Sequence, residues 1–279
     1  MTLLIEPEVL ATLLTNNQLK IIDVRYDMTN KRQGKRAYKN GHIAGAIFAD
    51  LRHDLSRERI KGITGRYPLP DPKKFAEKIA SWGIDRDHHL VIYDDGGLIM
   101  AARAWWLFKW IGLKQVSVLH GGMRAWSAAK LPLSTDKPSF QKSSFTCHLG
   151  NMPTVDTQTI LQDLNLDHLQ LIDARSEDAF YSTQKKSGSG HIPGAVNHPF
   201  TSNMGDDGRF LPAPYLKKML KRLISPRRQS VFYCNSGIIA CHHILAMEYA
   251  GLGTGTLYPG SWNEWIADSS HPVQYEEMR

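Results

Sequence analysis

The amino-acid sequence contains an internal repeat that covers most of its length. Four motifs occur twice in the same order, and the distance between the copies drifts from 150 to 139 positions. The pairs are LKIIDVR (19–25) with LQLIDAR (169–175), GHIAGAI (41–47) with GHIPGAV (190–196), LVIYDDGGLIMA (90–101) with SVFYCNSGIIAC (230–241), and HGGMRAW (120–126) with PGSWNEW (259–265). Unrelated segments would not keep both order and spacing, so we expect a duplicated domain. We place the first domain at residues 1–135, a linker at 136–153 and the second domain at 154–279.

Each copy alternates short apolar runs with segments of helical periodicity. Strands are predicted at IIDV, HLVIYD and VSVLHGG in the first copy and at LQLIDA, QSVFYC and TGTLYPG in the second. Helices are predicted at FAEKIASWGI, AARAWWLFKWIGL, PYLKKMLKRLI and IIACHHILAMEYAG. This alternation indicates an α/β fold in which each domain has a parallel sheet flanked by helices. The linker is polar, and the strongest strand signal within it is SFTCHL (144–149).

Two different residues occupy the equivalent position after the central predicted strand of each copy. Asp94 follows this strand in the first copy and Cys234 follows it in the second. In open α/β sheets, ligands bind beyond the carboxyl ends of the strands. The two copies therefore share a scaffold, but only the second has a nucleophile at this position.

The loop after Cys234 consists of small residues and leads into a predicted helix. Asn235, Ser236 and Gly237 precede Ile238, and such a loop can turn several backbone N–H groups inward to form a nest for an anion. A cysteine in this setting has its thiolate form favoured and can attack an anionic or polarised electrophile. The structural alternative is a cysteine that only packs in the core at a strand end.

The sequence does not support the assignment of this cysteine loop to a phosphatase or an arsenate reductase. Cysteine phosphatases and arsenate reductases would need an arginine six residues after the nucleophile, because its planar fork binds the oxyanion. That position is Ala240, and no arginine occurs before the helix ends.

The combined motifs resemble the rhodanese family of tandem-domain sulfurtransferases over nearly the whole chain. The resemblance is carried by both IDxR strands, both GHIxGA motifs, the YDDGG loop, the CNSGII loop (234–239) and the closing YPGSWNEWI. It implies that the copy with Asp94 is catalytically silent and that Cys234 is the nucleophile. Family loops of the Cys-Gly-Ser-Gly type look like 3-mercaptopyruvate enzymes, and loops with two basic residues after the cysteine look like thiosulfate enzymes. The Cys-Asn-Ser-Gly loop is nearer to the former.

The resemblance also implies a mechanism without a metal or an organic cofactor. Cys234 would take the sulfane sulfur of 3-mercaptopyruvate or thiosulfate, a small anionic donor, and form a persulfide. The loop N–H groups from Asn235 through Gly237, Ile238 and Ile239 would stabilise the anionic sulfur, and Ser236 would polarise the donor. Cyanide, a small thiol or a protein thiol would accept the sulfur. A different class stays open, namely a sulfur-relay protein that a protein partner loads with sulfur and that turns over small donors only weakly.

The chain departs from the family pattern at three substrate-binding positions, one of which is a second arginine that has no clear counterpart in the short segment before GHIPG. Ala179 replaces an arginine that grips the substrate in 3-mercaptopyruvate enzymes, and Lys185 and Lys186 are nearby cations that could supply charge in its place. In the first copy, Tyr67 occupies the place of a family histidine and follows Arg66. We therefore keep these four basic or aromatic side chains as candidate binding residues: Arg66, Tyr67, Lys185 and Lys186.

Composition limits the partners that we expect. The formal net charge is +7, which suits small anionic substrates, but the Lys/Arg clusters are too short and scattered to indicate nucleic-acid binding. No apolar run approaches the roughly 20 residues of a membrane span, and no signal peptide is evident at the N-terminus. The three cysteines form no disulfide framework. We expect a cytoplasmic protein with no nucleic-acid or membrane partner.

Several other polar residues fit structural roles better than catalytic ones. His42 and His191 occur in matched turns of both copies, as do the Asp23/Arg25 and Asp173/Arg175 pairs, for which we expect hydrogen bonding and structural ion pairs. His242 and His243 are adjacent on a predicted helix and point about 100° apart, so they are poor joint metal ligands.

Overall fold

The computed structural model describes residues 2–182 and 188–275 and contains two compact units. The first unit consists of residues 1–57, 69–151 and 205–210, and the second of residues 58–68, 152–204 and 211–279. The domain boundaries at residues 135 and 154 stay a prediction. Within the described residues, no helix is long and apolar enough to cross a membrane.

The first unit has a parallel five-stranded sheet. Its strands are β1 (Leu4–Ile5), β2 (Leu19–Asp23), β3 (Ile47–Phe48), β4 (His89–Tyr93) and β5 (Val116–Leu119), in the order β1-β5-β4-β2-β3. Its helices are α1 (Pro7–Leu13), α2 (Gln33–Asn40), α3 (Pro72–Ser81), α4 (Ile99–Trp110) and α5 (Gly122–Ala128). The central strand β4 is apolar and almost entirely buried, as expected for a strand covered on both faces.

The second unit repeats this architecture with four parallel strands. They are β6 (Leu169–Asp173), β7 (Val196–Asn197), β8 (Gln229–Tyr233) and β9 (Thr256–Leu257), in the order β7-β6-β8-β9. The helices are α6 (Thr157–Asp163), α7 (Glu177–Phe180), α8 (Ala213–Leu223), α9 (Ile239–Tyr249) and α10 (Ser261–Trp265), with a 3-10 helix at Phe200–Asn203. The predicted α/β fold with two parallel sheets flanked by helices is confirmed.

The predicted strand at SFTCHL (144–149) is wrong. These residues adopt no regular structure. The backbone N–H of Ser143 bonds to the carbonyl of Ala80, and the N–H of His148 bonds to that of Ile111. Because these backbone N–H groups bond to carbonyls at the ends of α3 and α4, they are not available to pair with a strand of a sheet.

A buried ion pair is duplicated at the carboxyl end of β2 and of β6. Arg25 contacts Asp23 at 2.7 Å, with side-chain exposures of 6% and 0%, and it also donates to the carbonyl of Gly41. Tyr93 donates its hydroxyl to the same Asp23 carboxylate at 2.6 Å. Because these groups satisfy one another away from water, the ion pair links β2, β4 and the GHI turn.

The second copy contains the same network with equivalent residues. Arg175 contacts Asp173 at 2.6 Å, with exposures of 1% and 0%, and donates to the carbonyl of Gly190. The histidines of the two GHI turns also bond to backbone: the ring of His42 to Tyr38 and Asp136, and the ring of His191 to Phe180. The structural interpretation of these duplicated residues is confirmed.

Replacing Arg25 with methionine should destabilise the protein strongly. Arg25→Met leaves the Asp23 carboxylate buried without its cation, which costs about 3–5 kcal/mol of unfolding free energy. Arg228→Met is the matched control, because Arg228 pairs with Asp167 at exposures of 33% and 79% and such a pair contributes at most about 1 kcal/mol. Urea denaturation measures both, and equal losses would contradict the assignment.

Adjacent imidazoles of α9 lie in the interior of the second unit. His242 and His243 are both 0% exposed. The ring of His242 lies 3.1 Å from the sulfur of Met204, and the Nε2 of His243 lies 2.7 Å from the carbonyl of His198. Burial lowers the pKa of His242 to about 3 and lowers that of His243 well below its usual value. Both rings are therefore neutral in the folded protein at neutral pH.

The buried imidazoles predict a specific acid sensitivity. An unfolded histidine binds a proton below about pH 6.5, whereas His242 stays neutral in the folded state down to about pH 3. The free energy of unfolding should thus fall as pH drops below about 6.5, by up to about 1.4 kcal/mol per pH unit for each ring. His242→Leu should flatten this dependence in urea titrations between pH 6.5 and 4, whereas His168→Leu, at a side chain that is 77% exposed, should not. Parallel curves for wild type and His242→Leu would contradict the prediction.

Candidate active site

Cys234 directly follows the central strand β8 of the second unit and is 1% exposed. Its loop runs to Ile238, which precedes the first residue of α9, Ile239. Asn235 is exposed, whereas Ser236 is only 7% exposed. The backbone N–H of Ser236 points back at the Cys234 Sγ at 3.5 Å. The contact from this loop to the thiol that the described residues show is therefore the one from Ser236.

Position 237, in the middle of this turn, accepts only glycine. Its φ is +73°, and a Cβ there would lie 2.6 Å from the carbonyl oxygen of Pro259. A side chain would therefore meet both backbone strain and a steric clash. Behind the turn, the thiol of Cys241 donates to the Gly237 carbonyl at 3.2 Å.

Residues 258–263, the shelf, hold the backbone of the cysteine loop. The backbone N–H of Trp262 donates to the Cys234 carbonyl at 2.9 Å, and the backbone N–H of Asn263 donates to the carbonyl of Asn235 at 3.0 Å. The Cys234 N–H donates to the hydroxyl of Ser261 at 3.2 Å, and this hydroxyl donates to the carbonyl of Tyr258 at 2.9 Å. Three hydrogen bonds thus fix the peptide units on both sides of the thiol.

Ser261 is a functional candidate that sequence reasoning missed. It is fully buried and has a φ of +54°, a left-handed conformation that is costly for a residue with a Cβ. The equivalent residue of the first copy is Gly122, with a φ of +59°. The signal in the sequence was the serine in PGSWNEW where the other copy has glycine in HGGMRAW.

In the first unit, the carboxylate of Asp94 occupies the equivalent turn. It accepts N–H bonds from Gly96, Met100 and Ala101 at 2.9 to 3.1 Å. Burial raises the pKa of this carboxyl, and the three N–H donors oppose the rise. One of these contacts recurs in the second unit, because the N–H of Gly96 points at the Asp94 side chain as the N–H of Ser236 points at the Cys234 thiol.

The remaining predicted binding residues differ in their placement. Arg66 and Tyr67 lie in the segment 58–68, which belongs to the second unit. Gly65 of this segment packs against the backbone of Gly260 in the shelf and donates its N–H to Glu264. Tyr67 is 4% exposed, and the exposed guanidinium of Arg66 lies 5.5 Å from the centre of its ring. Lys185 and Lys186 lie outside the described residues, and Ala179 is half-buried in α7.

Comparison with known proteins decides the family. The model of the rhodanese-like domain matches residues 6–129 and again residues 156–268. The chain belongs to the rhodanese family. Both matches cover the repeat found in the sequence, one for each copy.

Individual rhodanese-family proteins match over almost the full length. The "Probable 3-mercaptopyruvate sulfurtransferase" of Pseudomonas aeruginosa is 41% identical over 275 residues, which is 97% of both chains. The thiosulfate sulfurtransferase of Bos taurus is 30% identical and aligns with 89% of this chain and 85% of its own. The crystal structure of the 3-mercaptopyruvate enzyme SseA from Escherichia coli superposes with a TM-score of 0.82 at 29% identity, covering 94% of this chain and 99% of that one. The predicted rhodanese family and its sulfurtransferase class are confirmed.

Two substitutions of Ser261 should distinguish the effect of its hydrogen bond on activity from the effect of its backbone strain on stability. Ser261→Gly and Ser261→Ala both remove the acceptor of the Cys234 N–H, so both should lower kcat/KM by roughly five- to tenfold, about 1–1.4 kcal/mol. Only the alanine keeps a Cβ at positive φ, so Ser261→Gly should be more stable than Ser261→Ala by about 1 kcal/mol. Steady-state kinetics and urea denaturation measure the two effects, with exposed Ser269→Ala as control. Unchanged kinetics in both variants would exclude a positioning role.

Proposed function

We propose that this protein transfers sulfane sulfur from 3-mercaptopyruvate or thiosulfate to a thiophilic acceptor through a persulfide on Cys234. The observation that carries the proposal is the turn around the thiol, in which the Ser236 N–H points at the Cys234 Sγ. The thiol follows the strand end at which α/β folds bind ligands. A nucleophile in this position has backbone dipoles arranged for the negative charge that develops on sulfur.

The first half of the reaction loads the enzyme. The Cys234 thiolate attacks the sulfane sulfur and forms a sulfur–sulfur bond. The bond between that sulfur and the rest of the donor breaks, and its electron pair leaves with the remainder as pyruvate, after protonation, or as sulfite. The N–H groups of residues 235 to 239 stabilise the anionic sulfur and the departing group.

The second half transfers the outer sulfur to an acceptor. Cyanide, a small thiol or a protein thiol attacks the outer sulfur of the persulfide. The sulfur–sulfur bond breaks, and its electrons return to Cys234 as the thiolate. The reaction is balanced without an external redox partner, because the leaving group takes the electron pair of the broken bond. With 3-mercaptopyruvate, carbon 3 is reduced to the methyl group of pyruvate as its thiol sulfur becomes persulfide sulfur. With thiosulfate, the outer sulfur is already at the sulfane level and sulfite leaves.

The residues of the loop favour 3-mercaptopyruvate as the donor. The loop has Asn235 and Ser236 after the cysteine instead of two basic residues, and the Pseudomonas aeruginosa relative is named for 3-mercaptopyruvate. Ser236 is buried beside the thiol, where we propose that its hydroxyl polarises the donor. We assign the donor's anionic group to Arg66 and to the loop that contains Lys185 and Lys186, with Tyr67 beside Arg66, since Ala179 offers no charge.

We propose that the first unit is catalytically silent. The Asp94 carboxylate accepts the N–H groups of Gly96, Met100 and Ala101, and so it already fills the place in its turn that an anionic substrate or persulfide would occupy. A carboxylate that accepts three backbone N–H bonds is also a poor nucleophile, because those bonds engage its lone pairs.

A sulfur-relay function is the second candidate. Ala179 stands where family enzymes have a substrate-gripping arginine, which favours loading by a protein partner over rapid turnover of small donors. Donor-dependent steady-state turnover separates the two functions. We also propose a cytoplasmic setting, which rests on the three cysteines being free thiols.

Intact mass spectrometry tests the persulfide. Incubation with 3-mercaptopyruvate or thiosulfate should add the mass of one sulfur atom to wild type, and cyanide should remove it. Cys234→Ser should gain nothing, because it lacks the attacking thiolate, whereas Cys241→Ser should react like wild type as the matched control. The rate of gain ranks the two donors.

Two results would contradict the proposal. No gain with either donor in wild type would exclude the small-molecule enzyme and favour the relay function. A cyanide-labile gain that persists in Cys234→Ser would move the sulfur carrier to Cys241 or Cys147.

A further inference from the structure

A basic groove lies on the first unit and contains no residue of the cysteine loop or its shelf. The depression has a volume of about 1100 Å³ and is formed by α2 and the loop that follows β3. Six lysine and arginine side chains line it: Lys31, Arg32, Lys35, Arg36, Lys39 and Arg52. All six are exposed.

The acidic residues of the groove do not neutralise these cations. Asp54 is bound to Lys78 at 2.7 Å, outside the groove. Asp50 accepts the backbone N–H groups of Arg52 and His53 and so closes its own turn. Among the described residues, none of the six cations forms an ion pair with a carboxylate, and their charges face solvent together. Arg36 donates only to the amide oxygen of Asn30.

Clustering of unpaired cations on one short helix is costly without a ligand. Lys35 and Lys39 are four residues apart on α2, and Arg32, which caps the start of this helix, is four residues from Arg36. Like charges at this spacing destabilise a helix. The helix has no acidic residue in its sequence QGKRAYKN. An anionic ligand with several charges would relieve this repulsion and gain strength from all six cations at once.

A second depression continues the groove and is more apolar. Its volume is about 750 Å³, and it shares Lys35, Lys39 and Phe48 with the basic groove. Trp82, Phe140 and the aliphatic Ile47 line it as well. The combined surface therefore presents a row of cations next to an apolar recess.

The aromatic rings of the recess are already in contact with neighbouring side chains. Tyr38 stacks on His42 with ring centroids 4.0 Å apart, and the ammonium of Lys20 lies 4.1 Å from the centre of Phe140. Nonspecific binding of single-stranded nucleic acid depends on open aromatic faces on which bases stack. The recess instead suits an aliphatic side chain, which needs an apolar surface and no open ring face.

We propose that this groove binds an acidic segment of a partner polypeptide, with Asp and Glu side chains on the six cations and an apolar side chain in the recess. Arginine forks suit carboxylates in a bidentate geometry. This inference is independent of the proposed persulfide chemistry, since none of the groove residues belongs to the cysteine loop or the shelf.

Fluorescence anisotropy tests the proposal with a labelled peptide of Glu and Asp residues that contains a central Leu. The groove variant Lys35→Glu/Arg36→Glu/Lys39→Glu should weaken binding by about tenfold or more. The matched control reverses three exposed lysines of another basic helix, α8, in Lys217→Glu/Lys218→Glu/Lys221→Glu. The control should change Kd by less than about twofold, because it alters the net charge of the protein but none of the side chains of the groove.

Sulfur transfer to cyanide reports whether the variants are folded, since both should keep wild-type turnover. If the groove variant does not fold, Arg36→Gln/Lys39→Gln replaces it and should still weaken binding several-fold. Equal losses in the groove variant and the α8 control would overturn the proposal in favour of a net-charge effect. Absence of peptide binding would also overturn it, as would tighter binding of a labelled oligothymidylate that is lost in the groove variant.

Discussion

The chemistry that we propose for this protein depends on the hydrogen bonds that hold one turn of backbone around a cysteine. The turn joins the central strand β8 to helix α9, and the shelf at residues 258–263 pins the peptide units on both sides of Cys234. Gly237 permits the tight path of the chain, and its contact with Pro259 leaves no room for a Cβ. Because the donors are backbone groups fixed by packing, they need no rearrangement when charge develops on the sulfur.

Comparison of the two copies distinguishes the contribution of the shared backbone from that of the side chain that follows the central strand. Both units end their central strand in a turn with inward N–H groups, and both retain the buried Asp–Arg pair at the neighbouring strand. In the first unit the turn is filled by the Asp94 carboxylate, so its donors are satisfied internally. In the second unit, the smaller thiol of Cys234 stands in place of the Asp94 carboxylate, and Ser261 stands in place of Gly122. Two differences on one backbone therefore distinguish a turn filled by its own carboxylate from the turn in which we propose that an external anion binds.

The sequence was sufficient to predict the fold class and the turn, because both leave strong local patterns. The repeated IDxR and GHIxGA motifs and the apolar runs of β4, β6 and β8 predicted two parallel sheets, and the small residues after Cys234 predicted its loop. Helix α2 was missed because QGKRAYKN has no apolar periodicity, and β3 and β7 are only two residues long. The strand signal at SFTCHL misled, because tertiary hydrogen bonds to helix ends replaced sheet pairing. The serine in PGSWNEW marked a difference from the glycine of the other copy, but its bond to the Cys234 N–H could not be predicted. The placement of residues 58–68 in the second unit could not be predicted either, since both depend on contacts between segments distant in sequence.

The most direct test of this account is to observe the turn while sulfur is bound. Amide ¹H–¹⁵N spectra of the wild-type protein would be recorded before and after loading with 3-mercaptopyruvate, and again after cyanide. We predict that the signals of residues 235 to 239 move on loading and return with cyanide, while those of Gly96, Met100 and Ala101 stay unchanged. Unmoved signals in the loop after Cys234, or shifts in the turn around Asp94, would contradict the claim that this backbone turn stabilises a persulfide on Cys234.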